Sequence, residues 1–435
     1  MPQRARPQRA CAPVLARMCK VVWASRSLSV SAQFSCHGSR FCVSPAPQLA
    51  LGVEGNLSLY ISTQEELARF CEQASTSPVL AVDTEFIRER TYYPRLCLIQ
   101  LATSPEHIAA VDPFAVDDLA PVAELFQNPA ITKVFHACSQ DLEVIDGTMG
   151  CVPTPIFDTQ LAASFLGQRI QLGYGALVES YTGVRLAKAE SLTDWSRRPL
   201  DAEQLVYAAD DVRYLPEIYA RMVAELVEQD RLAWVLPEMQ ALLDPSHYRH
   251  EPELAYLHLK RASTLTRKQL AVAREACAWR ERLAEKRDIP RKWVVSDEVI
   301  VELCRRAPSD TGRLRRIRGT EQLSERDAEG LVRAIAKGSA CPSSQQPSLM
   351  RKARPSAEQE SVLDLMYAML RIISERSGVA TQLIATRDDL LSFMLGKADA
   401  TLASGWRRQL AGEQLRGLLS GECGLTVKDG SVEIL

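Results

Sequence analysis

Four uncharged apolar residues, Val79-Leu80-Ala81-Val82, run without a break into Asp83-Thr84-Glu85-Phe86. This junction constrains the fold more than any other stretch of the chain. A short continuous apolar run reads as a strand buried on both faces, in the middle of a covered sheet. Side chains alternate along a strand, so Asp83 and Glu85 point the same way. Two carboxylates side by side at the end of a buried strand repel one another. A hard divalent cation, which takes oxygen ligands, resolves that repulsion.

The flanking sequence supplies partners for such a strand. Leu59-Tyr60-Ile61 reads as a short strand, and Ser62-Thr63 before Glu65-Glu66 as a helix start. Leu96 to Ala102 and His107 to Val111 read as two strands joined by the turn Thr103-Ser104-Pro105-Glu106. Leu119 to Phe126 predicts a helix, and Thr132 to Phe135 another short strand. His136 follows, then a helix holding Asp141; from there to about residue 235 the pattern is mostly helical. An early meander followed by strands alternating with helices predicts a mixed α/β sheet flanked by helices.

The second half of the chain reads as all-α. Leu270, Ala273, Cys277 and Leu283-Ala284 keep one helical stripe, while Ser296 and Ser324 are helix caps. A polar, Pro-containing linker is expected over 339–357, and helices again from 358 to 420, with Thr386 and Asp389 forming a cap and Gly396 a stop. Asp429-Gly430 between Leu425-Thr426-Val427 and Val432-Glu433-Ile434 predicts a terminal hairpin.

Charge divides the chain along the same lines. The formal net charge is −2, but residues 1–50 hold 7 basic and 0 acidic side chains, and residues 51–259 hold 14 and 31. Residues 260–338 hold 20 and 12, and residues 339–435 hold 11 of each. An acidic module suited to cations therefore precedes a basic module suited to a polyanion. Residues 1–56 are expected to be a disordered basic extension, with the composition of a transit peptide or of upstream sequence read from a wrong start. The 12 cysteines are scattered without zinc spacing, which points to reduced thiols and a cytoplasmic protein. No run approaches the ~18 uncharged apolar residues that a membrane span needs.

Two further segments bear on the carboxylate pair. Val134-Phe135-His136-Ala137-Cys138-Ser139-Gln140-Asp141-Leu142 puts Asp141 in a helix just past a strand. Tyr207-Ala208-Ala209-Asp210-Asp211 puts Tyr207 and Asp211 four residues apart, on one helical face. Asp210 points about 100° away and is the poorer candidate.

Asp83-Thr84-Glu85-Phe86, His136-Ala137-Cys138-Ser139-Gln140-Asp141-Leu142-Glu143 and Tyr207-Ala208-Ala209-Asp210-Asp211 together resemble the three exonuclease motifs of the DEDD superfamily, tyrosine subclass. With Asp158-Thr159-Gln160-Leu161-Ala162 and Asp194-Trp195-Ser196-Arg197-Arg198-Pro199-Leu200 they look like the bacterial ribonuclease D family in particular. The resemblance runs from about residue 57 to the end, and no motif position is substituted. It implies an RNase H-like exonuclease domain over 57–245, an HRDC domain over 255–338, and a second HRDC-like helical domain over 358–435.

The resemblance also implies hydrolytic 3′→5′ cleavage of RNA to nucleoside 5′-monophosphates, on tRNA precursors and other structured small RNAs, by a monomer. Two divalent ions, Mg²⁺ or Mn²⁺, about 4 Å apart, stabilise the attacking and leaving oxygens in such chemistry. By the resemblance Asp83 bridges both ions, Glu85 and Asp211 hold the ion that activates water, and Asp141 holds the other. Tyr207 orients the water; a phenol of pKa about 10 is a poor base at neutral pH. Thr84 and Phe86 are expected to pack on the terminal nucleotide, and Arg315 and Arg316 to contact RNA phosphates. Phe86 reads equally well as a core residue. A non-catalytic scaffold is disfavoured by the intact carboxylates. A DNA exonuclease of the proofreading or Werner type is the other alternative, although no helicase P-loop occurs in the sequence.

Overall fold

The computed structural model describes residues 59–187, 193–249, 251–349 and 354–435. The expected extension over 1–56 and part of the expected linker, 350–353, lie outside the described residues. Six strands form one sheet: β1 (Leu59–Ile61), β2 (Val79–Ile87), β3 (Arg95–Ser104), β4 (His107–Val111), β5 (Thr132–Phe135) and β6 (Ile156–Asp158). Their spatial order is β1-β4-β3-β2-β5-β6. β2 pairs antiparallel with β3 and parallel with β5, so the sheet is mixed and β2 lies near its centre. The strand read from Val79 to Val82 extends through the acidic residues, with a register shift between Glu85 and Phe86. β6 falls in a stretch read as helical; three residues, Ile156-Phe157-Asp158, are too short to show a period.

Among the described residues, eight helices surround the sheet: α1 (Gln64–Ala74), α2 (Ala120–Gln127), α3 (Ser139–Met149), α4 (Thr159–Phe165), α5 (Tyr174–Thr182), α6 (Ala202–Arg213), α7 (Leu215–Glu228) and α8 (Leu232–Leu242). The cap expected at α1 forms, with the Thr63 hydroxyl accepting from the Glu66 amide. In β5 the fully buried Lys133 donates to the carbonyls of Asn128, Ile131 and Thr154, which gives all three ammonium hydrogens an acceptor.

The first helical unit is built on α9 (Arg267–Arg287), α10 (Asp297–Arg306) and α11 (Glu325–Ser339). Ser296 and Ser324 cap α10 and α11 as expected. The second is built on α12 (Ala357–Ser377), α13 (Arg387–Met394) and α14 (Glu413–Ser420), followed by the hairpin β7 (Leu425–Lys428) and β8 (Ser431–Ile434). Asp429 and Gly430, both at positive φ, turn that hairpin, and Thr386 with Asp389 forms a full capping box.

Both helical units are docked on the sheet unit. Tyr92, between β2 and β3, packs against the apolar core of the first unit, and its hydroxyl donates to Glu281 at 3.0 Å. Trp406 of the second unit is buried between Phe165 and Trp234, while Arg407 and the Trp406 indole both donate to Glu238. The buried side chains of the second unit and of the sheet unit form one continuous apolar cluster. The sheet core is therefore not closed by residue 244.

Candidate active site

Three elements meet at the second half of β2, from Asp83 onward. Asp83 and Glu85 project from the strand itself. Helix α6 crosses the same face of the sheet, where Ala208 is buried among Cys97, Leu98 and Ala110, and this seats Tyr207 and Asp211 above the carboxylates. Carboxylate oxygens of Asp83, Glu85 and Asp211 lie within 4.8 Å of one another. This is the one such group among the described residues.

Asp141 does not belong to that tight group but stands beside it. It sits in the first turn of α3, and its carboxylate accepts from the Thr84 hydroxyl at 2.5 Å. The entry to α3 is fixed by Asp158. That side chain accepts from the amides of Ala137 and Cys138 while also capping α4 through Gln160 and Leu161. Ala137 at φ 63° makes the tight turn that aims the helix.

Crowding and burial raise every acid of the site. Burial, then the charges of Asp211 and Asp141, pushes Glu85 up to about 8. Burial pushes Asp141 up to about 7, although the Thr84 hydrogen bond pulls it back. Asp211 also rises to about 7 through burial and the charges of Asp210 and Asp141, against the hydrogen bond from Tyr207. Burial and the three neighbouring carboxylates hold Asp83 well above the ordinary range. Burial and the charges of Asp211, Glu85 and Asp83 keep the Tyr207 hydroxyl far above the usual phenol value. Four oxygen donors, Asp141 buried and the other three half-buried, that cannot all ionise together, with no imidazole or thiol among them, suit a hard divalent cation.

Asp210 pairs with Arg213 at 2.9 Å and stays out of the carboxylate group, although it lines the same cavity as Tyr207 and Asp211. Other assignments change. Thr84 is only 5% exposed and its hydroxyl is spent on Asp141, so its side chain offers no face to a nucleotide. Phe86 is half-buried against the core with the Arg88 guanidinium over its ring. Arg315 is spent inside its own unit, donating to the carbonyls of Thr320 and Glu321 and pairing with Glu325. Its immediate neighbour Arg316 is exposed.

The structure adds residues that sequence reasoning did not assign. Tyr174 donates to the Asp210 carbonyl at 2.8 Å and helps line a cavity of about 650 Å³ with Leu186, Val206, Tyr207 and Asp211. A tyrosine at a helix start carries no distinguishing signal. His136, inside the second motif, is bound at both ring nitrogens, by Thr159 and by the Leu172 carbonyl, at 2.9 Å each. With both nitrogens engaged, it braces the site.

Sheet, carboxylates and helical appendage agree with the comparisons. A 3′-5′ exonuclease family model matches residues 59–227, and an HRDC domain model matches residues 269–335. The class is thus a 3′-5′ exonuclease carrying an HRDC domain. The chain is 40% identical over 385 residues to ribonuclease D of Jannaschia sp. (strain CCS1), covering 86% of this chain and 98% of that one. It is 40% identical over 387 residues to ribonuclease D of Acidiphilium cryptum, covering 86% and 96%. The crystal structure of Escherichia coli RNase D, described as an exoribonuclease involved in structured RNA processing, superposes with a TM-score of 0.74. There the identity is 33%, with 84% of this chain and 99% of that one covered. The chain belongs to the ribonuclease D family and is a 3′-5′ exoribonuclease. DEDD exonucleases as a family depend on divalent metal ions. No helix among the described residues is long and apolar enough to cross a membrane.

Proposed function

We propose that the enzyme trims the 3′ ends of tRNA precursors and other structured small RNAs, releasing nucleoside 5′-monophosphates. In this reading it works as a cytoplasmic monomer with two divalent ions, Mg²⁺ or Mn²⁺. The observation that carries the reading is the convergence of Asp83, Glu85 and Asp211 within 4.8 Å, beside Asp141. Asp83, Glu85 and Asp211 would hold one cation, and Asp83 with Asp141 the other. When bound, such ions lower the pKa of an attacking water and offset charge on the leaving oxygen.

The remaining work falls to the chain. Tyr207 stays protonated throughout the physiological range, so its hydroxyl orients and does not abstract a proton. Asp211, one helical turn on from Tyr207, is the carboxylate that its hydroxyl faces across the site. Thr84 holds Asp141 in place, and Asp158 holds the turn that carries it. The first helical unit presents basic surface to the structured part of the RNA, and the second, of balanced charge, acts as an HRDC-like module. Exposed Arg316 belongs to that surface, and Phe86 borders the nucleotide.

The test is the full chain with a 3′-extended tRNA in Mg²⁺, Mn²⁺ or EDTA. A ladder shortened one nucleotide at a time, with 5′-monophosphates released and no cleavage in EDTA, supports the reading. Internal cuts, or equal digestion of a matched DNA strand, would overturn it.

A further inference from the structure

Gln100 lies in the middle of β3 and is completely buried. Neither its side-chain nitrogen nor its oxygen has a hydrogen-bond partner. Buried amides are nearly always paired, so an unpaired one in a strand needs a reason. The β2–β3 register supplies it: Gln100 stands directly opposite Asp83. Directly opposed residues of an antiparallel pair share a face, with Cβ atoms roughly 4.5–5.5 Å apart. The carboxamide therefore emerges next to the central carboxylate of the site, beneath the helix that carries Asp211. Its neighbours across the sheet there are Ala110 on β4 and Leu98 on its own strand, neither of which can serve as a partner.

The same patch holds another orphan. Trp195 packs with Leu98, Ala110 and Ala208, lies 6.0 Å from the Tyr207 ring, and leaves its indole N–H unpaired. Of the five unpartnered buried side-chain atoms among the described residues, three are in this patch and the other two are in Arg280 and Glu281. Hydrogen-bonding capacity is thus held in reserve around the carboxylates.

We propose that Gln100 is a positioning residue for the cation site: its carboxamide N–H donates to the Asp83 carboxylate and sets the orientation in which that group faces the cation. A neutral amide can do this without adding charge to an acidic cluster, whereas a lysine or arginine at the same place would compete with the cation. The reserved hydrogen bond forms when the cation draws the Asp83 carboxylate into its bound orientation. Partners of metal-holding groups typically set affinity by 10- to 100-fold. The inference rests on the reading of Asp83 as a cation ligand.

The experiment is calorimetric titration of Mn²⁺ into the full chain and into Gln100→Met, together with melting temperatures in EDTA. Gln100→Met keeps side-chain length and removes both polar atoms. It should bind Mn²⁺ about 10-fold more weakly or worse, and melt in EDTA no lower than the parent, since two unpaired polar atoms leave the interior. Excess Mn²⁺ should restore kcat with KM for RNA unchanged, which a distorted site would not allow. Parent-like Mn²⁺ affinity in Gln100→Met, whatever its melting temperature, overturns the proposal. If Gln100→Met does not fold, Gln100→Asn takes its place; it withdraws the donor by one methylene, and the same two outcomes decide. If the parent itself binds no Mn²⁺, the cation reading fails, a result distinct from equal binding by parent and variant.

Discussion

Thr84 and Asp141 are 57 positions apart, and the hydroxyl of the first donates to the carboxylate of the second at 2.5 Å in a buried setting. One hydrogen bond thus joins the central strand to the helix that carries the fourth acid. It also lowers the pKa of Asp141, against the burial that raises it to about 7.

Thr84→Val keeps the shape and removes the donor. Asp141 then holds its proton to higher pH, because the one side-chain interaction favouring its ionised form is gone. The pH at which metal-dependent activity reaches half its maximum should move upward, and activity at neutral pH should fall by about 10-fold, as for other partners of metal-holding groups. A pH–rate profile of the variant beside the parent checks both.

The raised acids make metal-free stability depend on pH with a definite sign. In the unfolded chain these carboxyls ionise near 4, whereas the folded chain keeps protons on Asp141 and Asp211 to about 7 and on Glu85 to about 8. Between those limits the folded state binds more protons, so stability falls as pH rises from about 4 to about 8. Melting temperatures in EDTA should decline across that window, and Mg²⁺ should raise them most at its alkaline end. Asp83→Asn, Glu85→Gln, Asp141→Asn and Asp211→Asn should each abolish most cleavage. Each should also flatten the decline, melting in EDTA at or above the parent at pH 8.

Tyr207→Phe retains the ring that packs beside Trp195 and removes the hydroxyl that faces Asp211. The expected result is a loss of roughly 10²-fold in kcat, by analogy with positioned acid–base groups, with little change in KM. Asp210→Asn is the control. Its carboxylate pairs with Arg213 and stays out of the group formed by Asp83, Glu85 and Asp211, so single-turnover rates should stay near the parent's.

Much of this site was legible because strand and helix periods place residues by arithmetic. A two-residue spacing put Asp83 and Glu85 on one face, and a four-residue spacing joined Tyr207 to Asp211. Caps at Thr63, Ser296, Ser324 and Thr386 were legible for the same local reason. What periodicity cannot show is pairing across the fold. Thr84 looked like a nucleotide-binding residue because its hydroxyl partner lies on another element. Arg315 looked free because its acceptors are carbonyls, which carry no sequence signal. Gln100 is meaningful only through the β2–β3 register, and β6 is too short to announce itself. The docking of Trp406 against Phe165 and Trp234 was equally invisible, since an apolar residue does not name the surface that covers it.

That docking changes how the basic unit should be tested. A cut after Asp244 would strip Trp406 and Arg407 from Phe165, Trp234 and Glu238, and open an apolar cluster shared with the sheet. The truncated chain should lose stability for that reason alone, so its RNA affinity would not report on charge. Surface substitutions isolate the charge. Arg316 and Arg318 are exposed and, among the described residues, make no ion pair, while Arg315 is held by Thr320, Glu321 and Glu325. Arg316→Ser with Arg318→Ser should leave the melting temperature unchanged and weaken binding to a 3′-extended tRNA. Each RNA phosphate left without its arginine should reduce the slope of log affinity against log salt by about 0.7 to 0.9, with cleavage of a short unstructured RNA unaffected. Arg315→Ser should instead lower the melting temperature, because two carbonyls lose their donor, and should alter the salt slope less. Equal slopes for the parent and the double variant between about 50 and 200 mM salt would show that this surface does not carry the RNA.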